Sequence, residues 1–134
     1  MSEKPTQKGS VLLVDDDNFL LDMYSMKFTQ QGYTVHASLS VREALETLKS
    51  GFTPDAVVFD LVMPENDGFS LLKELKDKRL VPTAVRIALT NQSQDADMTH
   101  AMELGADSFI VKASIIPSEV VNMVGSEIAK KRRA

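Results

Sequence analysis

The sequence contains no cysteine, no tryptophan and only two histidines, His36 and His100. Without cysteine the chain has no disulfide framework, no thiol nucleophile and no cysteine-based zinc site. Two histidines are also too few for most histidine-rich metal sites. These absences exclude several common chemistries before any motif is considered.

The sequence also lacks a basic excess and a long apolar run. Fifteen lysines and arginines against nineteen acidic residues give a formal net charge of -4. This balance disfavours a general nucleic-acid binder, so we expect no direct DNA binding. The start, MSEKPTQKGS, has no apolar segment typical of a signal peptide, and runs such as VLLV, AVVF and FIV are too short to span a membrane. We therefore expect a soluble, cytoplasmic protein without membrane contact.

A length of 134 residues with 43% apolar and 25% charged residues is typical of one globular domain. Residues 1–9 are polar and predict a flexible leader. A folded domain is expected over 10–130, followed by a basic tail at 131–134. Because this length leaves no room for an effector domain, we expect a stand-alone domain. A domain excised from a longer protein would have the same sequence features.

Short, branched apolar runs alternate with amphipathic segments along the chain. The predicted strands are 11–14, 34–37, 56–59, 84–89 and 108–111, and a helix follows each of them. Ser40 and Glu43 form a capping box before the second helix, and Pro117 suits the first turn of the last one. This alternation predicts an α/β fold of the flavodoxin-like (βα)5 type, a three-layer sandwich around a parallel five-stranded sheet of order 2-1-3-4-5.

Polar residues follow four of these predicted strands. Asp15 and Asp16 follow the first strand, Asp60 the third, Thr90 the fourth and Lys112 the fifth. In the predicted fold these ends meet at one edge of the sheet, where ligands bind. Clustered carboxylates favour a hard divalent cation, for which Mg²⁺ is the fitting partner. Asp60 is the best candidate for a nucleophile that forms an aspartyl phosphate.

Each of these residues also has an ordinary structural interpretation. An Asp after a strand is commonly a turn or helix-cap residue, Thr90 could cap a helix, and Lys112 could be a solvated lysine at the sheet edge. The functional interpretation depends on the combination, because all of these residues fall at the same end of their strands.

The chain resembles the receiver domain of two-component response regulators from Val11 to about Ile128. The resemblance is carried by four segments, of which the pattern D-x-x-M-P-x-x-D-G is the most specific: Val11–Asp17, Phe59–Gly68, Ala88–Thr90 and Gly105–Lys112. It implies that Asp60 accepts a phosphoryl group from the phosphohistidine of a histidine kinase. It further implies that Asp16, Asp60 and the backbone carbonyl of Val62 bind Mg²⁺ directly, and that Asp15 acts mainly through water.

The same resemblance implies a switch. Thr90 would close on the phosphoryl oxygen, Lys112 would pair with it, and Phe109 would turn inward when Thr90 moves. The implied partners are a sensor histidine kinase or phosphotransfer protein, and a downstream target bound at the face of the fourth helix, fifth strand and fifth helix. Such a protein is not a conventional enzyme, although it assists its own phosphorylation and dephosphorylation.

Three features depart from the family pattern. Ala113 replaces the usual proline after the lysine, and Asn91 replaces the usual small residue after Thr90. Val62 and Gln92 occupy positions that, by the resemblance, tune the lifetime of the phosphoryl group. Ala113 and Asn91 leave open an alternative: a receiver-fold binding module that works without phosphorylation.

Two enzyme classes on similar folds fit less well. A haloacid-dehalogenase-type phosphatase needs a D-x-D-x-T/V strand end, which Asp15-Asp16-Asp17-Asn18 does not supply. A dinucleotide or flavin binder needs a glycine-rich first turn, whereas this one is acidic and would repel phosphate.

Overall fold

The computed structural model describes residues 8–63, 67–90, 95–112 and 116–133. Strands and helices alternate along the chain as predicted, beginning with a strand. Their bounds, in order, are β1 Gly9–Val14, α1 Asn18–Gln30, β2 Tyr33–Ser38, α2 Val41–Lys49, β3 Ala56–Phe59, α3 Gly68–Asp77, β4 Val85–Thr90, α4 Asp95–Glu103, β5 Ser108–Val111 and α5 Pro117–Arg133.

The five strands form one parallel sheet in the order β2-β1-β3-β4-β5. The predicted flavodoxin-like order is therefore confirmed. Val14 pairs with Phe59 across β1 and β3, and Thr90 pairs with Val111 across β4 and β5. This register brings the carboxyl ends of the four strands that carry the candidate site to one edge of the sheet.

Apolar side chains cover both faces of the sheet. Val11 and Leu13 of β1 belong to a core with α1 and α5, whereas Leu12 and Val14 belong to a second core with α2, α3 and α4. Successive residues of a strand point to opposite faces, so a continuous apolar strand can fill both cores. Full burial of each such side chain contributes about 1.5–3 kcal/mol. The three-layer arrangement follows from this two-sided burial.

Side-chain caps begin three of the helices. Asp17 accepts a hydrogen bond from the backbone N–H of Leu20, and Asp67 accepts one from Ser70. In the predicted capping box, Ser40 Oγ accepts from the Glu43 N–H at 3.2 Å. The Glu43 carboxylate accepts from the N–H of Leu39, one residue before the cap. Each cap contributes about 1 kcal/mol, so these polar residues define where the helices start.

The first strand and the last helix reach slightly beyond the predicted bounds of the folded domain. Gly9, placed in the leader by the sequence, is the first residue of β1. The helix α5 continues to Arg133, so most of the predicted basic tail is helical. Near this end, Arg132 lies 3.2 Å from Asp55, whose other oxygen accepts from the N–H of Ser10 at the opposite edge of the sheet. No helix in the described part of the chain is long and apolar enough to cross a membrane.

Gly68, the first residue of α3, lies against the backbone that carries Asp60. A Cβ atom at this position would lie 2.5 Å from the carbonyl oxygen of Asp60 and 2.9 Å from the Cα of Leu61. The N–H of Gly68 also donates to the Leu61 carbonyl at 3.1 Å. The close approach of these backbone segments therefore requires a glycine here.

We expect Gly68→Ala to lower the free energy of unfolding by about 1–3 kcal/mol, because the added methyl group must displace backbone rather than a flexible side chain. Urea unfolding measures this change. Lys73→Ala, at an exposed position of the same helix, is the control and should change stability by less than about 0.5 kcal/mol. Equal stability of the two variants would contradict the close-packing argument.

Candidate functional site

Asp15 and Asp60 lie side by side at the carboxyl end of the sheet. They directly follow Val14 and Phe59, which are paired in adjacent parallel strands. The N–H of Asp60 donates to the Val14 carbonyl at 2.9 Å, which extends the pairing by one residue. Both residues are buried, with 6% and 7% of their surface exposed. Two carboxylates therefore share one poorly solvated position.

Asp16 completes a group of three carboxylates. It is exposed, whereas Asp15 and Asp60 are buried, and one carboxylate oxygen from each of the three lies within 4.8 Å of the others. Oxygen ligands that converge at this spacing suit a hard divalent cation such as Mg²⁺, which keeps part of its coordination sphere for water and phosphate oxygens. The cluster could thus hold the metal ion that the sequence suggests.

Lys112, directly after β5, reaches across the sheet edge to the two buried acids. Its Nζ lies 2.7 Å from Asp15 Oδ2 and 3.4 Å from Asp60 Oδ2, and 6% of its side chain is exposed. Burial by itself would lower the pKa of Lys112. The hydrogen bond to Asp15 and the charges of both carboxylates outweigh burial and raise that pKa. Lys112 is therefore an ammonium ion at neutral pH.

The Asp60 carboxyl group has a raised pKa. Burial is the largest cause, and the negative charge of Asp15 adds to it. The charge of Lys112 and the hydrogen bond from the Val62 N–H, at 3.2 Å, act in the opposite direction but do not cancel the effect of burial. The folded protein therefore disfavours the ionised form of Asp60 relative to water.

Of the two predicted switch residues, Thr90 lines the site cavity and Phe109 does not. Thr90 is the last residue of β4, is 4% exposed and lines the same cavity as Asp60. Phe109 is partly buried, packs against the core beneath α2, α3 and α4, and is not among the described residues that line the cavity. The fold thus places Thr90 in the wall of the cavity and Phe109 against the neighbouring apolar core.

The cavity at this edge has a volume of about 350 Å³. All predicted site residues other than Phe109 line it, and Val62, which is 73% exposed, stands at its rim. Sequence reasoning missed four further lining residues: Asp17, Leu20, Leu61 and Asp97. No motif includes Leu20 or Asp97. Only the position of each residue around its helix, α1 or α4, indicates that it faces the carboxyl ends of the strands.

Several positions at which the sequence departs from the family pattern lie outside the described residues. They are Asn91, Gln92 and Ala113. What the sequence suggests about these residues therefore stays a prediction.

Comparison with known sequences identifies similar proteins. A sequence profile of the response regulator receiver domain matches residues 11–124. The chain is similar to the response regulator SaeR of Staphylococcus aureus, with 32% identity over 124 residues, which cover 92% of this chain and 52% of that protein. The chain spans about half the length of the curated relatives it matches.

Comparison with solved structures supports the same fold. A CheY-like receiver domain protein from Methanospirillum hungatei superposes with a TM-score of 0.83 at 23% identity, covering 92% of this chain and 96% of that one. The receiver domain of a signal transduction histidine kinase from Syntrophus aciditrophicus superposes with a TM-score of 0.80 at 29% identity, covering 94% of each chain.

The raised pKa of Asp60 predicts that Asp60→Asn stabilises the metal-free protein at neutral pH, by about 0.5–2 kcal/mol. Ionisation of Asp60 costs more in the folded than in the unfolded chain, so wild-type stability falls as the pH rises from the ordinary carboxyl pKa of 3.8 through the raised folded value. The advantage of the Asp60→Asn variant should thus be present at pH 7 and vanish below that window.

Urea unfolding of both proteins in EDTA, from pH 3 to pH 7, measures this difference. Asp77→Asn, an exposed acid at the end of α3, is the control and should show no such pH-dependent gain. A variant at position 60 that is less stable than wild type at pH 7 would contradict the argument.

Proposed function

This chain belongs to the response regulator receiver domain family, and from that premise we propose that it is a switch of two-component signalling that accepts a phosphoryl group on Asp60. The supporting observation is that Asp60, the acids Asp15 and Asp16, and the ammonium of Lys112 face one cavity. The proposed donor is the phosphohistidine of a sensor histidine kinase or phosphotransfer protein.

The proposed reaction is a displacement at phosphorus. A carboxylate oxygen of Asp60 forms the new P–O bond, the bond between phosphorus and the imidazole nitrogen breaks, and the imidazole leaves. Asp15, Asp16 and Asp60, with the carbonyl of Val62, would hold Mg²⁺, which offsets the negative charge of the phosphoryl oxygens when bound. Lys112 contributes a positive charge from the protein itself, because its Nζ already lies 3.4 Å from Asp60.

Water is the second acceptor in this proposal. Attack of water on the aspartyl phosphate returns the free carboxylate and releases phosphate, so the chain assists its own dephosphorylation. Asp60 lines a cavity that has the 73%-exposed Val62 at its rim, which supports access for small molecules and for a donor side chain.

The proposed output is a change in protein contacts. Thr90 would move toward the phosphoryl group as a hydrogen-bond donor, and Phe109 would occupy the space that Thr90 leaves. The partial burial of Phe109 supports this, since a fully packed ring would have no room to move. Met102 on α4 and Met123 on α5 are 47% and 42% exposed, which supports the face of α4, β5 and α5 as the contact surface for a target.

The first test is phosphorylation by a small donor. After incubation with acetyl phosphate and Mg²⁺, the intact mass of the wild-type chain should increase by one phosphoryl group. Asp60→Asn should show no increase, because it lacks the nucleophilic oxygen. Asp77→Asn, an exposed acid of α3, is the matched control and should be modified like wild type.

A different outcome would favour the alternative function. If the wild-type chain stays unmodified, and beryllofluoride with Mg²⁺ produces no spectral change, a binding module that works without phosphorylation becomes the better interpretation. Modification of Asp60→Asn to the wild-type extent would instead show that another residue is the acceptor.

The second test uses Phe109→Trp as a fluorescence reporter, since the chain has no other tryptophan. Beryllofluoride with Mg²⁺ mimics the phosphoryl group and should shift the emission to shorter wavelength as the ring becomes buried. Adding Thr90→Ala should reduce this shift strongly, because the hydroxyl that draws the segment inward is gone. An equal shift with and without Thr90 would contradict the coupling.

A further inference from the structure

Asp97 is an acidic residue of the site cavity that the family motifs do not include. It lies near the start of α4 and is half-buried. It lines the same cavity as Asp60, Thr90 and Lys112. Because α4 and α1 cover opposite faces of the sheet, Asp97 stands across the cavity from Leu20 of α1.

Asp97 differs from the other acids of the cavity in its contacts with the described residues. Asp15 and Asp60 contact Lys112, and the Asp17 carboxylate accepts from the Leu20 N–H as the cap of α1. For Asp97, by contrast, the described residues offer no hydrogen-bond or ion-pair partner. Five carboxylates therefore face this cavity with Lys112 as the one cationic side chain among its described lining residues.

The position of Asp97 on α4 adds to this effect. The start of a helix carries a partial positive charge that attracts phosphate. A carboxylate in the first described turn of α4 offsets that charge. The α4 side of the cavity consequently presents a negative charge to the space that Asp60, Thr90 and Lys112 also line.

We propose that Asp97 is a specificity-determining residue of phosphoryl transfer. Its negative charge favours donors with a neutral leaving group over donors whose leaving group departs as an anion. This inference rests on the proposed function. Its physical basis is Coulomb repulsion by the Asp97 carboxylate. This repulsion acts on the more negative donor and on the negative charge that develops on its leaving group.

Two small donors separate these cases. In phosphoramidate the reacting nitrogen bears three protons. Asp60 forms the P–O bond, the P–N bond breaks, and ammonia leaves as a neutral molecule. In acetyl phosphate Asp60 forms the same bond, the P–O bond to the acyl group breaks, and acetate leaves as an anion. Both donors thus transfer the same phosphoryl group, but the leaving group is neutral in one case and an anion in the other.

The experiment measures the phosphorylation rate of the full chain with each donor, by intact mass, at fixed Mg²⁺ and low salt. Asp97→Asn should raise the ratio of the acetyl phosphate rate to the phosphoramidate rate by about twofold to fivefold. The gain should shrink at high salt, where charges are screened. Asp97→Glu keeps the charge and should retain the wild-type ratio. Glu119→Gln, an equal charge change at an exposed position of α5, should leave the ratio unchanged.

The outcomes are distinguishable. A raised ratio in Asp97→Asn alone supports the inference. An unchanged ratio, whether or not both rates change equally, overturns it. Asp97 would then only stabilise the start of α4, and thermal unfolding of the variant would show that effect. No phosphorylation of the wild-type chain by either donor overturns the proposed function itself, and this inference with it.

Discussion

The ion pairs of Lys112 with Asp15 and Asp60 are the interaction on which the site depends. Lys112 is the partner that both buried carboxylates share, so removing it would leave two buried negative charges uncompensated and cost about 3–5 kcal/mol. The contacts join the ends of β1, β3 and β5. They therefore keep the cavity charged and in one shape before any ligand binds.

The parallel register is what makes this arrangement possible. Apolar strands buried on both faces have little freedom to shift along one another, since a slip by one residue would exchange the two cores. Val14 and Phe59 are thereby held opposite each other, and the acids that follow them become neighbours. Gly68 allows α3 to start directly against Asp60. The core thus supplies the stability that a group of mutually repelling carboxylates lacks.

Much of this arrangement is predictable from the sequence, for physical reasons. The strand order and the meeting of Asp15, Asp60 and Lys112 follow from alternating elements and from strand ends that share one edge. Contacts between distant segments are not visible in a local pattern. Near the end of α5, Arg132 pairs with Asp55, and no spacing in the sequence indicates that pair.

The two contacts of Lys112 are unequal, and the difference bears on the proposed phosphoryl transfer. Its ammonium lies 2.7 Å from Asp15 and 3.4 Å from Asp60, so Asp15 holds the side chain more tightly. A lysine anchored in this way can exchange the weaker contact for a phosphoryl oxygen on Asp60 without leaving its position, since an ammonium has three donors. Asp15 would then serve the transfer through Lys112 as well as through a metal ion. The charge that compensates the two carboxylates is thus already placed for the proposed aspartyl phosphate.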